Sequence, residues 1–362
     1  MRHTMMVRTR MVVVAAAIVS HMSVGPQLAV SGRAFVTGNN QVGQLGDGTV
    51  AQRSVPVEIR AGFDVAAADD EVVMTDQIRQ VAASSGEDVY GESGYTLFLG
   101  KDGTVYASGT SDFFELIDLQ VAPSARKPVA ISSLGSNIAQ VAAGRTHSLF
   151  LTSTGEVYAV GFNRFGQLGT GGATSSSSYN RQPQLISFDD APYGPHTITQ
   201  IATNQAGFHS LFLTSTGRVF ATGLNEHGQL GTNDLSDRNT PTLMLGPSGQ
   251  PFSNDTSIVM LAAGATFTLL LDSSGAVFAV GGNEYGQLGL GPGAASHTLP
   301  AQVTAVADHK IVHLAAGVGH SIFLSEDGRV FVVVSARSSL LVAATHLVVA
   351  LMRRATTAGG SW

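Results

Sequence analysis

The sequence predicts an all-β protein, a β-propeller of four-stranded blades, and three observations predict it. The peptide Gly-Gln-Leu-Gly occurs four times, at Gly43–Gly46, Gly166–Gly169, Gly228–Gly231 and Gly286–Gly289, each time inside a longer frame G-x-N-x-x-G-Q-L-G. Upstream of the later frames stands a second repeated block, in which two apolar runs flank a turn, as in Val141–Gly161, Ile201–Gly223 and Leu261–Gly281. The frame returns about every 60 residues between Gly161, Gly223 and Gly281, too long a period for one coil of a solenoid and suited to a propeller blade.

Each element of the unit follows from its residues. In the second apolar run Val157, Ala159 and Gly161 alternate with Tyr158 and Val160, the two-residue period of a strand, and Ser153-Thr154-Gly155 supplies the turn before it. The two runs therefore form a β-hairpin. Beyond the frame a polar stretch leads to Pro56, Pro183, Pro241 or Pro300, and proline suits an edge strand because it has no N–H to give to a ladder. Each unit offers roughly four short strands, and no long window shows the 3.6-residue period of a helical repeat. Hairpin glycines at Gly32, Gly103, Gly155, Gly217, Gly275 and Gly328 mark about six units. Two units depart from the pattern. Around Gly109 the frame is replaced by GTSDFFELIDL, and after the last hairpin, Leu314–Val334, no frame follows.

Composition narrows the function classes. Glycine fills 42 of 362 positions and charged residues only 13%, as a tightly turned β architecture requires. A net charge of −6 opposes nucleic-acid binding by the body of the protein, since that binding depends on Lys and Arg neutralising phosphates. With no cysteine, the chain has no disulfide, thiolate metal site or cysteine nucleophile. Residues 1–30 read either as a degenerate first blade or as a signal-like segment with a basic start and a short apolar run. Residues 31–334 read as the repeats, and residues 335–362 as a divergent tail or a degenerate blade strand, whose apolar run is shorter than a membrane span.

The block VAAGxxHSLFLTSTGxVYAVGxNxxGQLGTG resembles the repeat of the regulator of chromosome condensation family, over about Val81 to Val334. The lack of a Trp-Asp signature sets the chain apart from WD-repeat propellers. The resemblance implies a seven-bladed ring, here short of its full set of hairpins. It also implies protein partners, among them a small Ran-like GTPase on which relatives act as guanine-nucleotide exchange factors. In exchange-active relatives an acidic residue just before the repeat histidine takes part in that contact. The matching positions here are Gly94, Thr146, Phe208, Thr266 and Gly319, and none is a carboxylate.

His147, His209 and His320 stand at the same place ahead of their hairpin glycines, where other units carry Tyr95 and Phe267. A phenylalanine cannot ligate a metal, so the position calls for a buried flat ring, with the histidines hydrogen-bonded to neighbouring backbone. The frame glycines serve tight turns, and without a following helix or a Lys-Ser/Thr pair they form no phosphate cradle. Asn163, Asn225 and Asn283 are expected to bond their own turn backbone, and Gln167, Gln229 and Gln287 to bond between blades. No catalytic residue, cofactor site or metal site emerges. The candidate partner-binding residues are Asp112, Phe113, Phe114 and Glu115, an aromatic pair between carboxylates in place of a glycine loop, together with the paired acids Asp189 and Asp190. Asp69, Asp70, Glu71, Glu87, Asp88 and Glu92 mark the longest spacer as a further partner-binding insertion. The function expected is that of a non-enzymatic protein-interaction scaffold, with nucleotide exchange and a secreted binding propeller as alternatives.

Overall fold

A computed structural model describes residues 34–59, 78–84, 87–88, 91–92, 94–110, 124–172, 174–175, 178–188, 196–252, 256–291 and 295–333. Sheet I holds β1 (Phe35–Gly38) and β2 (Arg53–Glu58), and sheet II begins with β3 (Ile78–Ala83). A small hairpin, β4 (Glu87–Asp88) with β5 (Gly91–Glu92), precedes the rest of sheet II: β6 (Tyr95–Gly100), β7 (Val105–Thr110) and β8 (Ser124–Ala130). Sheet III contains β9 (Ile138–Ala143), β10 (His147–Thr152), β11 (Val157–Phe162) and β12 (Tyr179–Leu185). Sheet IV contains β13 (Ile198–Thr203), β14 (His209–Thr214), β15 (Val219–Gly223) and β16 (Arg238–Leu243). Sheet V contains β17 (Ile258–Ala263), β18 (Phe267–Asp272), β19 (Val277–Gly281) and β20 (His297–Gln302). Sheet VI has three strands, β21 (Ile311–Ala316), β22 (Ser321–Ser325) and β23 (Val330–Val333).

The all-β class and the blade-like units hold, but the seven-bladed expectation is corrected. The described residues form four four-stranded sheets, flanked by the two strands of sheet I and the three of sheet VI. The cause lies in the terminal units. β1 leads into a frame and β2 carries Pro56, so they match the third and fourth strands of a blade, whereas among the described residues sheet VI reaches as far as its third strand. Residues 1–30 and 335–362, on which the blade-or-signal and tail readings fall, lie outside the described residues.

Within a full sheet all pairs are antiparallel and follow chain order. The second strand is buried along its whole length because it is covered on both sides: HSLFLT is buried at every position in both β10 and β14, its polar ends included. Phe98, Phe150 and Phe212 at its centre are fully buried, and burying a ring of that kind contributes about 1.5–3 kcal/mol. The fourth strand is the exposed edge, and Pro56, Pro183, Pro241 and Pro300 all lie on such strands. Adjacent sheets share an apolar core at every step from I to VI, whereas among the described residues no such core joins VI back to I. The first strands β3, β9, β13, β17 and β21 adjoin one another in that order, which places them innermost.

A glutamine on three of these inner strands binds the next strand's backbone at two points. Gln80 Nε2 donates to the Val141 carbonyl at 2.9 Å while its Oε1 accepts from Val141 N at 3.0 Å. Gln140 does the same with Ile201 (3.1 and 2.9 Å), and Gln200 with Leu261 (3.1 and 3.0 Å). Inner-edge backbone groups need partners once buried, and each glutamine supplies a donor and an acceptor from the preceding sheet. The fourth equivalent position is Met260, whose sulfur accepts from Leu314 N at 3.4 Å.

Candidate functional site

Alternating strand directions sort the connections. The turn between first and second strands and the connection between third and fourth strands emerge at one end of every full sheet, and the hairpin turn between second and third strands emerges at the other. The first end carries all four Gly-Gln-Leu-Gly frames. The turns at this end are held by the frame residues themselves.

In the third unit, Asn163 Oδ1 accepts from Leu168 N at 3.0 Å, and Gln167 Oε1 accepts from Phe165 N at 3.0 Å. Asn225 and Gln229 hold Leu230 N and His227 N in the same way, as do Asn283 and Gln287 with Leu288 N and Tyr285 N. The frame leucines, Leu168, Leu230 and Leu288, are fully buried beneath these turns. The asparagines thus do what the sequence predicts. The glutamines do not: their side-chain oxygens close their own turn, and it is their backbone carbonyls that reach the next sheet. Ser210 Oγ donates to the Gln167 carbonyl at 2.7 Å, Thr268 Oγ1 to that of Gln229 at 2.9 Å and Ser321 Oγ to that of Gln287 at 2.6 Å.

The ring position sits in the same seam. His147 and His209 are completely buried, each opposite the first glycine of its frame in the ladder, Gly161 and Gly223. Their partners are hydroxyls of the next sheet rather than neighbouring backbone: His147 Nε2 lies 2.9 Å from Ser210 Oγ, and His209 Nε2 lies 3.3 Å from Thr268 Oγ1. Tyr95 reaches across likewise, its hydroxyl donating to the His147 carbonyl at 2.6 Å. Burial, aided by the nearby His209, pulls the His147 pKa down to about 3, and burial alone pulls that of His209 to about 4. Half-buried His320 is shifted down as well, also by burial. His147 and Ser210 form a serine–histidine contact that sequence reading does not foresee. It is sealed from solvent and the hydroxyl hydrogen is committed to Gln167, so it has no nucleophilic role.

Above this buried layer the frame tips differ from unit to unit: Gln41-Val42, Arg164-Phe165, Glu226-His227 and Glu284-Tyr285. Arg145 and Phe208, from the first turns of sheets III and IV, join the third unit's tip. The Arg145 guanidinium lies 5.2 Å from the Phe208 ring centre, Phe208 lies 5.1 Å from Phe165, and Arg164 lies 5.4 Å from Phe165. Tyr285 and Val318 are both about half exposed (53% and 54%) at the seam of sheets V and VI, where the Tyr285 ring lies near Gly319. Gly94, Thr146, Phe208, Thr266 and Gly319, none of them acidic, each stand just ahead of a second strand on this same face. Among the described residues no group of histidines and acids is placed to hold a metal, and no helix is long and apolar enough to cross a membrane.

Asp112, Phe113, Phe114 and Glu115 lie outside the described residues, within the connection from β7 to β8 that corresponds in chain order to a frame. Asp189 and Asp190, between β12 and β13, also lie outside them, as do Asp69, Asp70 and Glu71. Glu87, Asp88 and Glu92 fall in the β4–β5 hairpin.

A family model described as the RCC1-like domain matches residues 28–333. This chain belongs to that family. The RCC1-like repeats account for the frames, the ring position and the blade-by-blade cores together. Human E3 ubiquitin-protein ligase HERC2 is 28% identical over 305 residues, which is 84% of this chain and 6% of the ligase. The chain therefore spans only a small part of that relative. Human Regulator of chromosome condensation is 28% identical over 314 residues, covering 84% of this chain and 68% of the relative. Among solved structures, Prp20p of Saccharomyces cerevisiae superposes with a TM-score of 0.59 at 20% identity, over 81% of this chain and 62% of that one. That likeness is one of fold.

Proposed function

We propose that the chain is a non-enzymatic protein-interaction module that docks its partners on the frame-bearing face. One observation carries the reading: rigid, self-bonded turns present a different exposed pair at each tip, with aromatic and arginine side chains gathered at the seam of sheets III and IV. A fixed scaffold with variable loops is how binding surfaces are commonly built, and aromatic and arginine residues dominate the energetics of such surfaces. The relatives support protein partners, since Prp20p was solved in a study of its binding to Gsp1p and histones. A photo-crosslinking residue placed at Tyr285 or Val318 is expected to capture a protein partner, whereas one at Thr154 or Ser215, at the opposite end, is not. Equal capture from both ends overturns the reading.

Nucleotide exchange on a small Ran-like GTPase is the second reading, and membership in the family favours it. Its difficulty is local: Thr146, Phe208, Thr266 and Gly319 provide no carboxylate where the resemblance calls for one. Release of a fluorescent nucleotide from such a GTPase, measured with about micromolar protein, decides the matter, and an unaccelerated rate removes this reading.

A further inference from the structure

We infer that the row Arg145–Phe208–Phe165–Arg164 recognises a short, extended acidic segment of a protein partner, with a carboxylate near each end and an apolar side chain between them. The inference rests on the frame face being the docking surface and names the chemistry of what docks there. The row is continuous, each neighbour 5.1 to 5.4 Å from the next, and it is assembled from three separate loops of sheets III and IV. Its ends are cationic and its floor is aromatic.

Two features make the guanidiniums available. Arg53, Arg238 and Arg329 are committed to Asp47, Asp234 and Asp327, whereas among the described residues neither Arg145 nor Arg164 takes part in an ion pair. Each instead lies over a ring, where a guanidinium can still offer N–H donors to a carboxylate. The Arg145 turn is also fixed from both sides, because Arg145 N donates to the Gly207 carbonyl at 3.4 Å and Ser84 Oγ donates to the Arg145 carbonyl at 3.2 Å. A pre-ordered turn loses little entropy on binding.

The surroundings set the ligand's length and class. At about 3.3 Å per residue, the three links of the row are spanned by an extended segment of up to about five residues. Toward sheets IV and V the sign of the charge reverses: the next two frames carry exposed Glu226 and Glu284, and the whole chain carries −6. A long polyanion such as a nucleic acid meets repulsion where it runs on toward sheets IV and V, whereas toward sheet II it passes exposed Arg126 and Lys127, so the oligonucleotide is a necessary arm of the test. A short acidic stretch of protein meets no such repulsion.

The test uses the intact chain and labelled peptides in fluorescence anisotropy. The probes are Glu-Ala-Phe-Ala-Glu, the same peptide with Gln at both ends, and a single-stranded oligonucleotide. The glutamate peptide is expected to bind about tenfold more tightly than the glutamine one, with Arg145→Gln and Arg164→Gln each weakening it about fivefold. Arg218→Gln, at the opposite end of sheet IV, is expected to leave binding unchanged, and thermal melts of all variants confirm that they fold. Equal affinity for the glutamate and glutamine peptides, no greater loss in the arginine variants than in Arg218→Gln, or preference for the oligonucleotide overturns the inference. A crosslinked partner that survives both arginine replacements but is lost on Tyr285→Ala overturns it as well, while leaving the docking face intact.

Discussion

The junction between sheets IV and V and the junction between sheets V and VI bury comparable apolar cores, yet they are linked very differently. At the first, Gln200 binds Leu261 at two points, His209 meets Thr268, and the frame glycine Gly228 presses against β20, where an added Cβ would lie 2.7 Å from the His297 carbonyl oxygen. At the second, a thioether replaces the glutamine, Phe267 replaces the histidine, and Gly286 meets nothing within 4 Å because sheet VI has no fourth strand among the described residues. Two polar links persist among the described residues: the hydroxyl-to-carbonyl bond under the frame, from Ser321 to Gln287, and the bond from Ile311 N to the Gly275 carbonyl at 3.2 Å, which matches that from Ile258 N to the Gly217 carbonyl. Both seams keep an apolar core and these two bonds. The polar links and the outer strand fix how tightly the seam is specified.

Four measurements sharpen or break this contrast. The largest effect is expected from Gly228→Ala, where positive φ and contact with backbone combine to cost about 3 kcal/mol or more by denaturant unfolding. Gly286→Ala has the same positive φ but open space around it, and is expected to cost about 1 kcal/mol. Equal costs would show that the seams do not differ. Next, Gln200→Leu leaves the buried Leu261 N–H and carbonyl without their partner and is expected to cost about 2–4 kcal/mol. Met260→Leu, a volume-conserving change, is expected to cost less than about 1.5 kcal/mol.

The third measurement is stability against pH. An unfolded imidazole takes its proton near 6.5, whereas burial holds His147 at about 3 and His209 at about 4. Below 6.5 the unfolded chain therefore binds protons that the folded chain refuses. Stability is complete above that pH and falls as pH drops toward 4. In His209→Phe, which copies Phe267, the fall between pH 6.5 and 4 should be shallower, and an unchanged slope counts against a neutral buried ring. The smallest effect is expected from Met260→Gln, which offers Leu314 the two-point bond found at the other seams and should raise stability by up to about 1 kcal/mol.

Much of this architecture is legible in the sequence because its signals are local. Hairpin turns, alternating apolar runs and the edge prolines Pro183, Pro241 and Pro300 each report on their own strand, and the asparagine of the frame bonds within five residues of itself. What escaped is what crosses a seam. Gln80, Gln140 and Gln200 each bond a residue 61 positions away, and the only trace in the sequence is a glutamine ahead of Val-Ala-Ala or Ile-Ala-Thr in successive units. The Arg145–Phe208–Phe165–Arg164 row is harder still to foresee, because it joins three loops at positions where the repeats differ. Conversely, Phe113 and Phe114 attract notice in the sequence because they break the repeat, yet a broken repeat identifies a departure without identifying its neighbours.

The seam contacts have a direction. Gln140, His147 and Gln167 of sheet III all engage sheet IV, and Gln200, His209 and Gln229 of sheet IV all engage sheet V. Each unit therefore carries a giving flank and a receiving flank, and the flanks of sheets III and IV are nearly interchangeable. A gene in which the whole segment from Ile198 to Ser257 is copied in tandem would present matched flanks at the new boundary. A copy of half that segment would separate Gln200 and His209 from Gln229 and leave an incomplete flank at the boundary, so such a chain lengthens best by whole units.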